Sequence, residues 1–501
     1  MDRYRMTPDG VQARALNRDE RNILDLARAQ MSNVRVPILL DGPHDRLYIV
    51  LMDGTGNSRD KSGPGSHTVV ARLSTAIEEL KDPAMTVAYL PGVGTQDGFV
   101  ARAIDGATGG TLRMRAEHAY YKFCLQVKQW LDEDPHVRVR LAATGFSRGA
   151  ETEALLARLV HERGVRDPSG VTAEFGGSDV LNRIAWQDVP PLMAPGTVPT
   201  AMLMIDPVGT GQLHIDRAVM SSNVSLVQLT SMHEGRKDFS STLHAPVGLS
   251  DQGRVANILL PGAHSDLGGS YVLDGVGRVV YNFQAEYFNT LLGGRRLDLL
   301  PEPFDPRLYA VHRSEQHLLG LWPDGASRLD GGQGVHQNLG PSCRMIEPTP
   351  CTRSPIDYRI ADDLRFEYLN VGRHPGGTDA KMEAAMAAAD EMYRRDPGLL
   401  DSAVTHTRLP GRAQVLQKSQ ELGELFDELV ESARRRDFQG MKEVAALFRA
   451  TPAGMLIDNI GAARKLLEAA GEQVPSLSYA AREREEGVAR GQHDEALVPG
   501  R

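Results

Sequence analysis

Cysteine is scarce, at three in 501 residues. So few exclude a disulfide framework. Cys343 and Cys351 are near enough in sequence to pair, and lone thiols are the simpler reading. Long apolar runs are also missing, since none approaches the ~18 residues of a spanning helix. Positive charge is not in excess. Lys and Arg number 56 against 65 Asp and Glu, for a net charge of −9. That balance speaks against a general nucleic-acid binder, which needs clustered cations to neutralise phosphates. The first residues, Met1 to Arg21, are charged and have no apolar centre, so no secretory signal is read there. The expectation is a protein made in the cytoplasm, with any export by a signal-independent route.

What is present is an ordinary globular composition, 41% apolar and 24% charged, with 50 glycines. At roughly 150 residues per domain the length suggests two to four units. Residues 1–43 read as a polar arm with one amphipathic helix around Ile23, Leu24, Leu26 and Ala27. Residues 44–300 alternate short apolar runs with helical patterns. The runs are Leu47–Met52, Thr86–Leu90, Val137–Ala143, Thr200–Ile205, Val224–Leu229 and Val255–Leu260. Rich in Val, Leu and Ile and stopped by Gly, Pro or Asp, they have the pattern of buried parallel strands with crossover helices. Residues 301–375 are Pro/Gly-rich and read as an insertion, lid or linker. Residues 376–475 are helical in pattern, and 476–501 form a loose charged tail. The fold class expected is α/β: a mostly parallel sheet flanked by helices, with a mainly helical C-terminal region.

The sharpest motif is Gly145-Phe146-Ser147-Arg148-Gly149, a Gly-x-Ser-x-Gly. It follows the apolar run Val137–Ala143 and precedes a helical pattern over Glu151–Val160. Strand, sharp turn and helix are the context in which this motif presents a nucleophilic serine. The glycines remove Cβ atoms from a tight turn. The helix N-terminus favours developing negative charge, and the Arg148 amide becomes an oxyanion donor.

A nucleophilic serine needs a base, and the base an orienting carboxylate. His264 lies in the loop Pro261–Gly269 just after an apolar run, with His233 the runner-up. Asp206 ends the run Ala201–Ile205 and suits the expected order serine, acid, histidine. Glu234 and Asp266 remain alternative acids. Asp266, two residues from His264, reads equally as a supporting group or a metal ligand. The first run ends in Asp53-Gly54-Thr55-Gly56-Asn57. An aspartate-dependent phosphatase would need a second aspartate where Leu51 stands, so that reading fails. As part of a hydrolase this turn offers a second oxyanion amide, from Gly54 or Thr55, with Asp53 bracing it. Neither Gly92-Val93-Gly94 nor the cluster Gly106–Gly110 completes a dinucleotide or phosphate loop, and no cofactor or metal is expected.

Taken together, Asp53–Asn57, Tyr89–Thr95, Gly145–Ala150, Asp206–Gly209 and Pro261–Gly269 resemble, in order, an α/β-hydrolase family. Its best-known members are the first class of bacterial type VI secretion lipase effectors. The resemblance runs from about Arg46 to Leu292. It implies ester hydrolysis with phospholipid substrates, Ser147 as nucleophile, Asp206 as acid and His264 as base. It further implies membrane-surface contact, and secretion-apparatus and immunity proteins as partners of an antibacterial or host-directed effector. The chain departs from the family pattern at Pro207 and at His67-Thr68-Val69. An esterase on small or non-lipid esters is one alternative. A dead hydrolase fold used as an interaction module is the other.

Overall fold

A computed structural model of the chain describes residues 4–54, 57, 59, 67–92, 111–176, 181–209, 217–236, 239, 241–245, 247–250, 252–294, 296–316, 340–341 and 366–372. The region expected to be helical at 376–475, the tail and most of 301–375 lie outside the described residues.

All six apolar runs are strands of one sheet. They are β1 (Asp45–Met52), β2 (Met85–Leu90), β3 (Arg138–Phe146), β4 (Thr200–Ile205), β5 (Asn223–Ser231) and β7 (Val255–Leu260). A two-residue strand, β6 (Gly248–Leu249), completes the sheet in the order β6-β7-β5-β4-β3-β1-β2. Every pairing is parallel except β6 on β7.

The strands read as unbroken apolar runs because both faces of the sheet are covered. Along β1, Leu47, Ile49 and Leu51 enter one core, while Tyr48, Val50 and Met52 enter another. The alternation is the period of two of a strand. The first core is closed by α1 (Arg18–Ser32), α2 (Val69–Glu79) and α6 (Gly275–Leu291). The second is closed by α3 (Thr111–Glu133) and α4 (Arg148–Arg163). A short helix, α5 (His264–Gly268), precedes α6.

The helix expected near Ile23 is α1, which buries Leu24, Ala27 and Met31. Its start is fixed by Asn17 and Glu20, each side chain bonding the other's backbone amide. Strand Gln12–Ala15 pairs with Arg5–Met6 and with Ala310–His312. Strand Arg35–Pro37 pairs with Tyr368–Asn370. Among the described residues no helix is long and apolar enough to cross a membrane.

Candidate active site

The parallel register sets strand ends side by side. Met52 lies beside Gly145, Phe146 beside Ile205, and Ser231 beside Leu260. The residues that follow, Asp53, Ser147, Asp206 and the loop after Leu260, therefore gather at the carboxyl edge of the sheet. Ligands bind at this edge in open α/β sheets.

Ser147 joins β3 to α4 with φ +60° and ψ −122°, a region L-residues rarely occupy. Strain of this kind costs on the order of 1–3 kcal/mol and persists only where the surroundings fix it. Here the Ser147 amide donates to the carbonyl of Ile205 at 2.9 Å. The turn leaves no room for side chains on its flanks. A Cβ at Gly145 would lie 2.5 Å from the carbonyl carbon of Gly149, and one at Gly149 only 2.0 Å from the carbonyl oxygen of Met52. Ser147 itself is buried, with 4% of its surface exposed. The amide of Arg148 belongs to the first turn of α4, at the positive end of the helix dipole.

His264 is the first residue of α5, and its Nδ1 lies 2.6 Å from Oδ2 of Asp206. Asp206 is also held at positive φ, +38°, and its other oxygen accepts the Ser231 amide at 3.0 Å. Asp206 is wholly buried and His264 nearly so. Burial pushes the imidazole pKa down, and the hydrogen bond it donates to Asp206 acts against that push without overcoming it. A neutral ring with Nδ1–H donated to a carboxylate presents Nε2 as an acceptor. The ring is also pinned by aromatics, stacking on Phe146 at 4.5 Å between centroids and meeting the edge of Phe239 at 5.1 Å.

The alternative acids are not at the imidazole. Glu234 is paired with the guanidinium of Arg236 at 2.8 and 2.9 Å, and accepts the His264 backbone amide at 3.2 Å. Asp266 bonds Nδ1 of His312 at 2.5 Å. His233 accepts the Gly262 amide on Nδ1 and meets Glu20 with Nε2 at 2.8 Å. Burial opposes ionisation of Glu20, yet bonds from Arg14 and His233 hold its pKa well below the usual range.

Asp53 braces the turn after β1. Its Oδ2 accepts from Tyr89 at 2.7 Å and Thr68 at 2.8 Å. Its Oδ1 accepts the Gly54 amide at 2.8 Å. The Gly54 amide is thus committed to the brace, and Thr55 lies outside the described residues. Among the described residues no group of three or more His, Cys, Asp or Glu is arranged to hold a metal ion.

Sequence reasoning missed the two aromatic contacts of His264 and the Asp266–His312 pair. Phe146 was readable only as the variable position of the motif. His312 ends a three-residue strand in a Pro/Gly-rich stretch, too short for any periodicity to show.

Comparison with known proteins gives a family match and distant structural likenesses. A crystal structure of an uncharacterized protein from Pseudomonas aeruginosa is 14% identical, with 86% of this chain and 76% of that chain covered and a TM-score of 0.34. The Tle1 effector bound to the VgrG spike of the type 6 secretion system is 19% identical, with a TM-score of 0.28. That match covers 46% of this chain and 52% of the effector chain, so the chain spans about half the effector's length. A cutinase-like protein from Cryptococcus sp. is 12% identical over 51% of this chain and 99% of that one, with a TM-score of 0.22. Comparison with curated proteins returns no match. Residues 46–175, which run from β1 through the serine elbow, match the catalytic domain of the Tle1-like phospholipase effectors of type VI secretion.

Proposed function

We propose that this chain is a serine hydrolase of lipid carboxylic esters, a phospholipase of the A type, delivered as a type VI secretion effector. The observation that carries the reading is the 2.6 Å contact between His264 and Asp206, which follows the strand that ends beside the strained elbow of Ser147. The family match at residues 46–175 supports phospholipid as the substrate class. The VgrG-bound Tle1 structure supports a spike protein as delivery partner.

In this reading the Ser147 hydroxyl attacks the ester carbonyl carbon as Nε2 of His264 takes its proton. Asp206 holds the tautomer and stabilises the imidazolium that forms. The oxyanion is met by the amide of Arg148 at the helix N-terminus, with the Thr55 amide as second donor. Collapse expels the alkoxide, which takes the proton from His264 and leaves as lysolipid. Water, deprotonated by the same histidine, then releases the fatty acid and restores Ser147. No cofactor enters these steps.

The test is purified protein on vesicles of phosphatidylethanolamine and phosphatidylglycerol, with products identified by mass spectrometry. Fatty acid and lysophospholipid from the wild type, and none from Ser147→Ala, are the expected result. Cleavage of a soluble p-nitrophenyl ester without release of fatty acid from vesicles would instead make the chain a small-ester esterase. Undiminished hydrolysis by Ser147→Ala would overturn the mechanism.

A further inference from the structure

The loop Pro261–Gly269 carries His264, and helix α5 that follows is only five residues long. So short a helix cannot sustain itself by its own hydrogen bonds. Its geometry must be imposed from outside, and the side chain that imposes it is Asp266, two residues beyond His264. The residue before the helix is Ala263, which has no capping side chain. Asp266 reaches back instead, and its Oδ2 accepts the Ala263 amide at 2.7 Å. The same oxygen accepts the backbone amide of His312 at 3.0 Å, and Oδ1 takes Nδ1 of His312 at 2.5 Å. One buried carboxylate therefore receives three N–H donors, two of them from a different strand.

His312 is fixed as firmly. It ends the strand Ala310–His312, which pairs with Gln12–Ala15. Its ring is buried and stacked on Tyr271 at 4.0 Å with planes 18° apart, and the Tyr271 hydroxyl pairs with Ser314 at 2.9 Å. Its far nitrogen, Nε2, faces Asp9 at 4.0 Å and has no hydrogen-bond partner among the described residues. Asp9 in turn accepts the Val272 amide at 3.1 Å. The imidazole thus has one engaged nitrogen, and it is spent on Asp266.

We propose that Asp266 and His312 are positioning residues for His264, a second carboxylate–imidazole pair that fixes the first turn of α5 and so aims the base at Ser147. The proposal rests on the reading of Ser147, His264 and Asp206 as the triad. Neither residue touches the substrate. The peptide unit they clamp, between Gly262 and Ala263, directly precedes that of His264 and sets where the first turn of α5 begins. A displacement of about 1 Å at a reacting group costs on the order of 10²-fold in rate. The pair also ties the histidine loop to the strands Gln12–Ala15 and Ala310–His312, which lie outside the matched residues 46–175.

The test uses the full chain and a soluble ester, p-nitrophenyl butyrate, with competent sites counted by complete labelling with a fluorophosphonate. Asp266→Asn and His312→Leu are expected to lower kcat per labelled site on the order of 10²-fold, with KM unchanged. His312→Asn, whose side-chain amide can donate from nearly the Nδ1 position, is expected to restore most of that loss. A purely structural anchor would lower the melting temperature and the number of sites while leaving the rate per site alone. That outcome overturns the proposal, as does wild-type kcat per site in folded Asp266→Asn. Should His312→Leu not fold, Asp266→Asn and His312→Asn decide by the same criterion. Full activity in Ser147→Ala would instead remove the triad reading. Loss in Ser147→Ala with no effect at 266 and 312 would remove only the positioning role.

Discussion

Phe146 stacks its ring on the imidazole of His264, with centroids 4.5 Å apart and planes 29° apart. The residue before the elbow serine thus forms one wall of the base's socket. Two glycines make room for that ring. A Cβ at Gly54 would lie 2.5 Å from Cδ1 of Phe146, and one at Gly268 would lie 2.6 Å from the ring. The glycine-rich turn after β1 and the double glycine after His264 are therefore linked through one aromatic side chain.

Gly268→Ala is the direct probe of this packing. The added methyl must push the Phe146 ring, and the ring must push His264. Overpacking of this sort costs about 1–3 kcal/mol. The expected outcome is a modestly lower melting temperature together with a drop in kcat on soluble esters. Phe146→Leu in the same background should recover stability, because the smaller side chain vacates the contact. Unchanged kinetics in Gly268→Ala would show that the ring has no hold on the base.

The acid partner is tested by substitution at two carboxylates. Asp206→Asn should lower kcat by about 10⁴-fold, because the wrong tautomer of His264 is then favoured. Ser147→Ala and His264→Ala should each cost up to about 10⁶-fold, as members of a unit. Glu234→Gln keeps a carbonyl oxygen for the His264 amide but leaves Arg236 without its charge partner, so its effect should fall chiefly on stability. A larger kinetic loss in Glu234→Gln than in Asp206→Asn would move the acid role to Glu234.

The fall in the His264 pKa on burial has a kinetic consequence. The base works only when neutral, so activity is lost as pH falls through its pKa. With that pKa below the ordinary histidine value of about 6.5, the acid limb of kcat/KM on a soluble ester should lie below pH 6.5. An acid limb clearly above that value would contradict a buried base.

Much of this was legible in the sequence because the central strands are buried on both faces. Runs such as Thr200–Ile205 and Val255–Leu260 match their strands end for end. The placing of Ser147, Asp206 and His264 at strand ends was legible because each follows such a run within four residues. What was not legible depends on contacts distant in sequence. Asp266 lies 46 positions from His312, and His233 lies far from Glu20. Strands of two or three residues, such as Gly248–Leu249 and Ala310–His312, carry no pattern long enough to show a period. From the sequence Asp266 reads as an alternative acid, a supporting group or a metal ligand, because its partner His312 lies on a distant strand.

Below the elbow, Glu151 is wholly buried, with Nε of Arg217 at 2.6 Å and Nε2 of His244 at 3.2 Å. Burial opposes its ionisation, but the charge of Arg217 and the hydrogen bond with His244 win and bring its pKa down to about 2. A depressed carboxyl stabilises the fold above the unfolded value and loses that contribution as pH falls toward the folded one. Arg217→Met removes the compensating cation, and an uncompensated buried charge typically costs about 3–5 kcal/mol. Denaturation by urea at pH 7 should show that loss, and Arg217→Met with Glu151→Gln should recover part of it. Equal stability of the single and double variants would mean that the pair is not coupled.

Two residues further along α4, Glu153 is buried with neither carboxyl oxygen hydrogen-bonded among the described residues. Burial, reinforced by the charge on Glu151, raises its pKa well above 4.5. The folded chain therefore keeps this proton where the unfolded chain has released it. The sign follows from proton counting: the native state binds more, so stability falls as pH rises above the unfolded value. The slope for one such group is about 1.4 kcal/mol per pH unit until the folded pKa is reached. Glu153→Gln removes the titration. The buried amide has its own desolvation cost, but that cost is the same at every pH and shifts the curve without tilting it. Urea midpoints measured between pH 5 and 8 should therefore decline in the wild type and decline less steeply in Glu153→Gln. Parallel curves would mean that Glu153 ionises as readily in the fold as out of it.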